Sequence, residues 1–131
     1  MKICPCGSGR PYDHCCGPFH NGIAKAETAE QLMRSRYAAF CTENVEYLVE
    51  THDKDTRVPK LREELQNSMG SAQWLRLEVI NTIRGQSTDK DGFVQFIAHY
   101  SENGQPGKME ELSRFSKKKG LWFYTDGEHS N

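Results

Sequence analysis

Four of the five cysteines in this chain of 131 residues fall within thirteen positions near its start. Cys4 and Cys6 form a C-x-C pair, and Cys15 and Cys16 follow as an adjacent pair. Thiolates are soft anionic donors, and four of them around one tetrahedral centre make a closed structural site for Zn²⁺. The residues between suit that geometry. Pro5 stiffens the link between the first two sulfurs, and Gly7 and Gly9 admit a tight turn behind them that a Cβ would resist. Tyr12 is the one large apolar side chain between the pairs and supplies a small core. His14 stands in the same stretch as an alternative donor. A disulfide framework would need an oxidising compartment, and a thioredoxin-type centre would need C-x-x-C in a βαβ setting. Met1-Lys2-Ile3 offers no apolar core for a signal peptide. The reading is of a cytoplasmic protein holding one structural zinc ion. Cys41 lies in a helical stretch and reads as a small buried apolar residue.

A second group of candidates surrounds Arg36. It follows Leu32 by four positions and Met33 by three, and it precedes Phe40 by four, so it sits on or beside a buried helical stripe. A charge there is costly unless paired, and the expected partners are Glu111 or Asp126. Strand alternation puts Glu111, Ser113 and Phe115 on one face, with Glu110, Leu112 and Arg114 on the other. Trp122, Tyr124 and Asp126 share a face of the last strand. The candidate pocket is therefore Arg36, Glu111 or Arg114, Trp122, Tyr124 and Asp126. The competing reading makes these residues a structural ion pair and core aromatics, and the sequence favours it. His52 and His99 have no sequence neighbours that complete a catalytic set. The chain lacks G-x-S-x-G, a phosphate loop and H-E-x-x-H, so no catalytic residues are expected.

The elements that must carry these groups change period halfway along the chain. Thr28 is an N-cap, with Gln31 completing a capping box. From there Ala29 to Phe40 recur at helical spacing, and a second helix is expected over 44–52. A third is expected over 58–69, opened by Pro59, buried through Leu61, Leu65 and Met69, and ended by Gly70. Residues 17–28 read as a connector. Strands are expected over 74–83, 93–100, 108–115 and 121–125, with turns at 90–92, 103–107 and 118–120. Short connections favour an antiparallel meander. The fold class is α+β: a zinc knuckle and linker over 1–24, then three helices on a curved four-stranded antiparallel sheet over 25–131.

Composition excludes several function classes. With 17 Lys+Arg against 18 Asp+Glu, the net charge of −1 argues against a dedicated nucleic-acid surface. Near the knuckle Lys2 and Arg10 are too few to offset a centre of four thiolates, so nucleic-acid binding ranks last. The run Lys117–Lys119 reads as a solubilising hairpin tip. No run of eighteen apolar residues predicts a membrane helix.

The stretch Cys4-Pro-Cys6-Gly-Ser-Gly, Tyr12 and Cys15-Cys16-Gly17 resembles the SEC-C motif, the zinc module at the carboxyl end of the SecA translocation ATPase. That resemblance implies Cys4, Cys6, Cys15 and Cys16 as ligands, and in SecA the motif binds protein partners. The segments Leu32–Phe40, Glu111–Phe115 and Trp122–Gly127 are similar to the YchJ family, which joins a SEC-C motif to a domain similar to nuclear transport factor 2. This implies a cone of helices against a curved antiparallel sheet and brings no activity with it. Several members carry a second SEC-C motif at the carboxyl end, and these 131 residues hold one. The expected function is a non-enzymatic zinc-binding accessory protein. Arg10, Tyr12 and His14 would face an unidentified protein partner, and the larger domain would meet a second partner or another copy of the chain. The alternative is a small-molecule binder or enzyme using the interior of the cone.

Overall fold

A computed structural model of the chain describes residues 2–130. A 3₁₀ turn, Tyr12–His14, leads into α1 (Gly17–His20), α2 (Ala29–Cys41), α3 (Val45–Glu50) and α4 (Leu61–Ser68). The strands β1 (Gln73–Arg84), β2 (Asp91–Glu102), β3 (Gln105–Lys118) and β4 (Leu121–Ser130) follow as one sheet, paired antiparallel in sequence order. Helices then a meander is the predicted order.

Local chemistry explains the boundaries. Thr28 Oγ1 accepts the amide of Gln31 at 3.1 Å, which caps α2. The Gln31 side chain reaches one residue further back than a capping box requires, accepting from the amide of Glu27 at 2.8 Å. Asn44 caps α3 in the same way, accepting from the amide of Tyr47. The connector differs from expectation. Pro18 stands in the first turn of α1, where its missing N–H costs nothing, and one helical turn forms before Gly22.

Two hairpins are tighter than predicted. Asn103 and Gly104 both take positive φ, 53° and 79°, and so do Lys119 and Gly120, at 52° and 80°. These are two-residue type I′ turns, whose twist matches the flanking strands. β3 therefore starts at Gln105 rather than Lys108 and runs through Pro106. That proline is tolerated because β4 pairs only from Glu110 onward, leaving β3 with one neighbour there.

The core lies between α2, α3 and the inner face of the sheet, where Leu32, Leu48, Val94, Phe115 and Trp122 are buried. α2 is buried on more than the predicted stripe. Ser35, Ala38 and Ala39 are enclosed as well: Ala38 packs on the knuckle cysteines, the Ser35 hydroxyl meets Tyr47 of α3, and Ala39 joins the main core. α4 buries none of its residues fully. Leu61, Leu65 and Met69 are half-buried and shield the open end of the cone. Among the described residues no helix is long and apolar enough to cross a membrane.

Candidate metal centre and cone cavity

The knuckle is a small closed loop before it is a site. The amide of Cys4 bonds the carbonyl of Arg10 at 2.8 Å, and that of Tyr12 bonds Lys2 at 2.9 Å. This brings Ile3 against Pro11 as an isolated bridge. The amide of Cys15 then bonds Tyr12, and α1 starts at once with His20 bonding back to Cys16. Gly17 has to be glycine, since a Cβ would sit 2.9 Å from the carbonyl oxygen of Tyr12.

All four cysteines of the two pairs are buried, with their sulfurs within 4.8 Å of one another. Cys6 and Cys15 Sγ lie 3.5 Å apart, and Cys15 and Cys16 Sγ 4.0 Å apart. A tetrahedral zinc–thiolate centre has sulfurs about 3.8 Å apart, so the donor set is positioned to hold a metal ion and fits zinc. Four thiolates could not stay ionised there without a cation. The Cys16 thiol is pushed far up, first by its hydrogen bond with Cys6 and then by burial, while that bond holds Cys6 down to about 4. Ser8 Oγ at 3.1 Å and Arg10 Nη2 at 3.8 Å both approach Cys15 Sγ. Such outer donors orient ligands and offset their charge. His14 is exposed and outside the group.

The knuckle is joined to the body through groups the sequence did not single out. Arg34 Nη1 donates to the carbonyl of Cys6 at 2.7 Å, while its Nε pairs with Glu30 at 2.9 Å. His20 Nε2 lies 2.8 Å from the carbonyl oxygen of Ser35, and Nδ1 lies 2.6 Å from the Tyr12 hydroxyl. A carbonyl only accepts, so Nε2 carries the proton and Nδ1 accepts from Tyr12. Burial holds this imidazole below its usual pKa, which keeps it neutral. Tyr12 is thus turned toward the body rather than wholly outward, whereas Arg10 and His14 are exposed. Arg34 directly follows Met33 of the apolar stripe, and only its i,i+4 spacing from Glu30 marked it locally. Nothing local marked His20.

Inside the cone is a cavity of about 360 Å³ lined by Arg36, His52, Glu111, Ser113, Tyr124 and His129 among aromatic and aliphatic walls. The segment after α3 assembles its polar end. The amide of Tyr124 bonds the carbonyl of Thr51, and that of Asp53 bonds the carbonyl of Tyr124, both at 2.8 Å. This sets His52 edge-on to the Tyr124 ring, with centroids 5.0 Å apart. Arg36 Nη1 donates to Thr51 Oγ1 at 2.7 Å and to the Leu48 carbonyl at 2.9 Å, and its Cζ lies 4.6 Å above the Tyr124 ring. The expected carboxylate partner is replaced here by a hydroxyl, a carbonyl and a ring face. Glu111 instead accepts from Ser113, from the Tyr124 hydroxyl at 3.4 Å and from His129 Nε2 at 2.7 Å. Gly127 makes room for it, because a Cβ at that position would collide with the Glu111 carboxylate.

Electrostatics follow from burial. The Arg36 guanidinium is lowered to about 10 by desolvation and stays charged at neutral pH. His52 falls to about 4, first through desolvation and then through the Arg36 charge, so it is neutral. Tyr124 rises to about 12 through desolvation and the neighbouring Glu111 charge.

The remaining pocket candidates lie elsewhere. Arg114 and Asp126 pair with each other on the outer face of the sheet, at 2.8 and 3.1 Å, because alternation turns both away from the helices. A bulge between Arg114 and Phe115 changes the register of β4, so Asp126 does not share the inner face of Tyr124. Trp122 is buried against the linker, donating Nε1 to the Glu27 carbonyl at 3.0 Å, and it lines a separate cavity of about 300 Å³. His99 pairs with Glu78 at 2.6 Å. His129 went unnoticed because the expected last strand ended at Thr125.

A buried four-cysteine knuckle on a helix-and-meander cone defines a SEC-C protein with a domain of the nuclear transport factor 2 type. Residues 2–18 match the SEC-C motif, and residues 28–127 match the family described as YchJ, middle NTF2-like domain. The chain belongs to that family. A UPF0225 protein of Vibrio parahaemolyticus is 44% identical over 124 residues, covering 95% of this chain and 73% of the relative. One from Vibrio cholerae is 42% identical over 125 residues, covering 95% of this chain and 82% of the relative. The solution structure of a SEC-C motif containing protein from Rhodopseudomonas palustris superposes with a TM-score of 0.85 at 32% identity, covering 99% of this chain and 100% of that one. The crystal structure of a SEC-C motif containing protein from Psychrobacter arcticus gives 0.81 at 28% identity, covering 96% and 81%.

Proposed function

We propose that this chain is a cytoplasmic zinc-binding accessory protein, not an enzyme. Its single Zn²⁺ is structural, and its knuckle offers a surface to a protein partner. The observation that carries the reading is the closed donor set: four buried thiolates fill a tetrahedral shell and leave no position for a substrate. An all-sulfur tetrahedral set favours zinc over hard cations. In support of a partner, Ile3 is 59% exposed where it bridges to Pro11, in the same loop that exposes Arg10 and His14, which gives the knuckle a mixed apolar and basic rim.

Metal analysis with thiol titration, on protein purified without chelators, tests the first half. One zinc per chain is expected, lost in Cys15→Ser/Cys16→Ser, and a substoichiometric or different metal sinks the assignment. The second half is tested by comparing partner capture by the native chain and by Ile3→Glu/Arg10→Glu. Identical captured sets would remove the knuckle from the interaction.

A further inference from the structure

Arg36 is the one cation of the cone interior, among the described residues, that the fold leaves without a counter-ion. Its Nη1 is committed to Leu48 and Thr51, and Tyr124 holds the plane of the guanidinium from one side. Its Nε and Nη2 have no hydrogen-bond partner among the described residues. No fully buried side-chain nitrogen or oxygen among the described residues is left unsatisfied, so these two donors reach the space of the cavity. Glu111, the one carboxylate of the lining among the described residues, is turned to Ser113, Tyr124 and His129. An unpaired guanidinium in an apolar chamber is a costly arrangement that a ligand anion relieves.

We infer that the cone cavity binds a small monocarboxylic acid with an aromatic or branched apolar body, its carboxylate taken by Nε and Nη2 of Arg36. The Nε–Nη2 edge is a flat two-donor fork that matches the two oxygens of a carboxylate. The walls supply the rest of the recognition: Met33, Phe40, Leu65, Trp74, Phe96 and Phe115 present an apolar surface to the ligand body, and the polar lining gathers at the end that holds Arg36, His52 and Tyr124. The volume lies at the small end of ligand sites, which suits a molecule of one or two rings. Charge restricts the class further. A phosphate dianion would place two negative charges beside Glu111 against a single guanidinium, whereas a carboxylate brings one. His52 is neutral and adds none.

The experiment uses the full chain, purified without chelators, and two probes of one shape, 1-naphthylacetate and its neutral amide. The two tryptophan indole N–H resonances separate this end of the molecule from the linker cavity, since Trp74 lines the cone cavity and Trp122 the linker cavity, and because Trp74 also borders a groove with Tyr100 and Lys108, the cation is assigned by substitution. The acid should shift Trp74 saturably, leave Trp122 in place, and bind at least about tenfold tighter than the amide. Arg36→Lys, which keeps the charge but loses the fork, should shrink that preference several-fold. Equal affinity for acid and amide, or shifts confined to Trp122, would overturn the inference, and so would a Trp74 resonance that neither probe moves. Where the Arg36 variant does not fold, the exposed Lys108→Ala decides the matter: a preference for the acid that survives leaves Arg36 as the cation, and one that is lost moves the site to the groove and overturns the inference.

Discussion

Single residues carry most of the assembly at the polar end of the cone, and they divide by how they could be read. The cysteines were legible because C-x-C and C-C spacing is itself the chemistry. Arg36 was legible because a charge interrupts an apolar helical period. Its partners were not, since Leu48 reaches it only when α3 packs on α2, and Thr51 only when the end of α3 is held by β4. His52 gives a pH prediction at this scale. Its ordinary pKa of 6.5 falls to about 4 in the fold, so the unfolded chain binds the extra proton between those values. Stability present above pH 6.5 is therefore lost as pH falls toward 4. Thermal melts of His52→Gln against the native chain should show a shallower loss across that window, and parallel curves would remove His52 from the effect. Gly127→Ala should destabilise by about 2 kcal/mol or more, because Glu111 must leave its three donors. Chemical denaturation measures it.

At the scale of elements, the strand number and order were readable from β-branched and aromatic runs between turn residues, while the ends were not. Asn103-Gly104 is a strong two-residue hairpin signal, but Pro106 and Gly107 beyond it made the break look longer. Only the overhang of β3 past β4 shows why proline is allowed there. Gly104→Ala should cost about 1 kcal/mol, because the turn needs φ of 79° at that position, whereas Asn103→Gly should cost little. The comparison of their denaturation midpoints tests the turn type. α2 shows a different limit. An amphipathic period reveals one buried face, and the small residues Ser35, Ala38 and Ala39 look equally at home in solvent or under a second layer. Arg34→Ala should destabilise by about 2 kcal/mol by leaving the Cys6 carbonyl without its charged donor. A change within error would mean that contact is incidental.

For the molecule as a whole, the α+β architecture was in the sequence, and the junction between its two parts was not. A boundary at residue 24 follows from composition, yet the cysteine cluster packs on Ala38, and Tyr12, His20, Ser35 and Tyr47 form one hydrogen-bonded chain from knuckle to α3. No pattern in the sequence reports contacts between segments so far apart. Removing the metal should therefore reach beyond residues 2–24. On adding a chelator we expect a lower melting temperature for the whole chain and faster amide exchange in α2, while β2 and β3 keep their protection. Unchanged exchange in α2 would make the knuckle an appendage.

That junction also bears on how such a chain could be recombined. A motif of this length looks portable, a cassette to be exchanged for another with the same cysteine spacing. Yet the cassette does not end at its cysteines. The face it rests on, Arg34, Ser35 and Ala38, belongs to a helix whose opposite side closes the cone. A graft that brings the sulfurs without a residue equivalent to His20, or onto a helix with bulk at position 38, would load metal and sit badly. The unit of exchange is the knuckle together with α2, and so with one wall of the chamber.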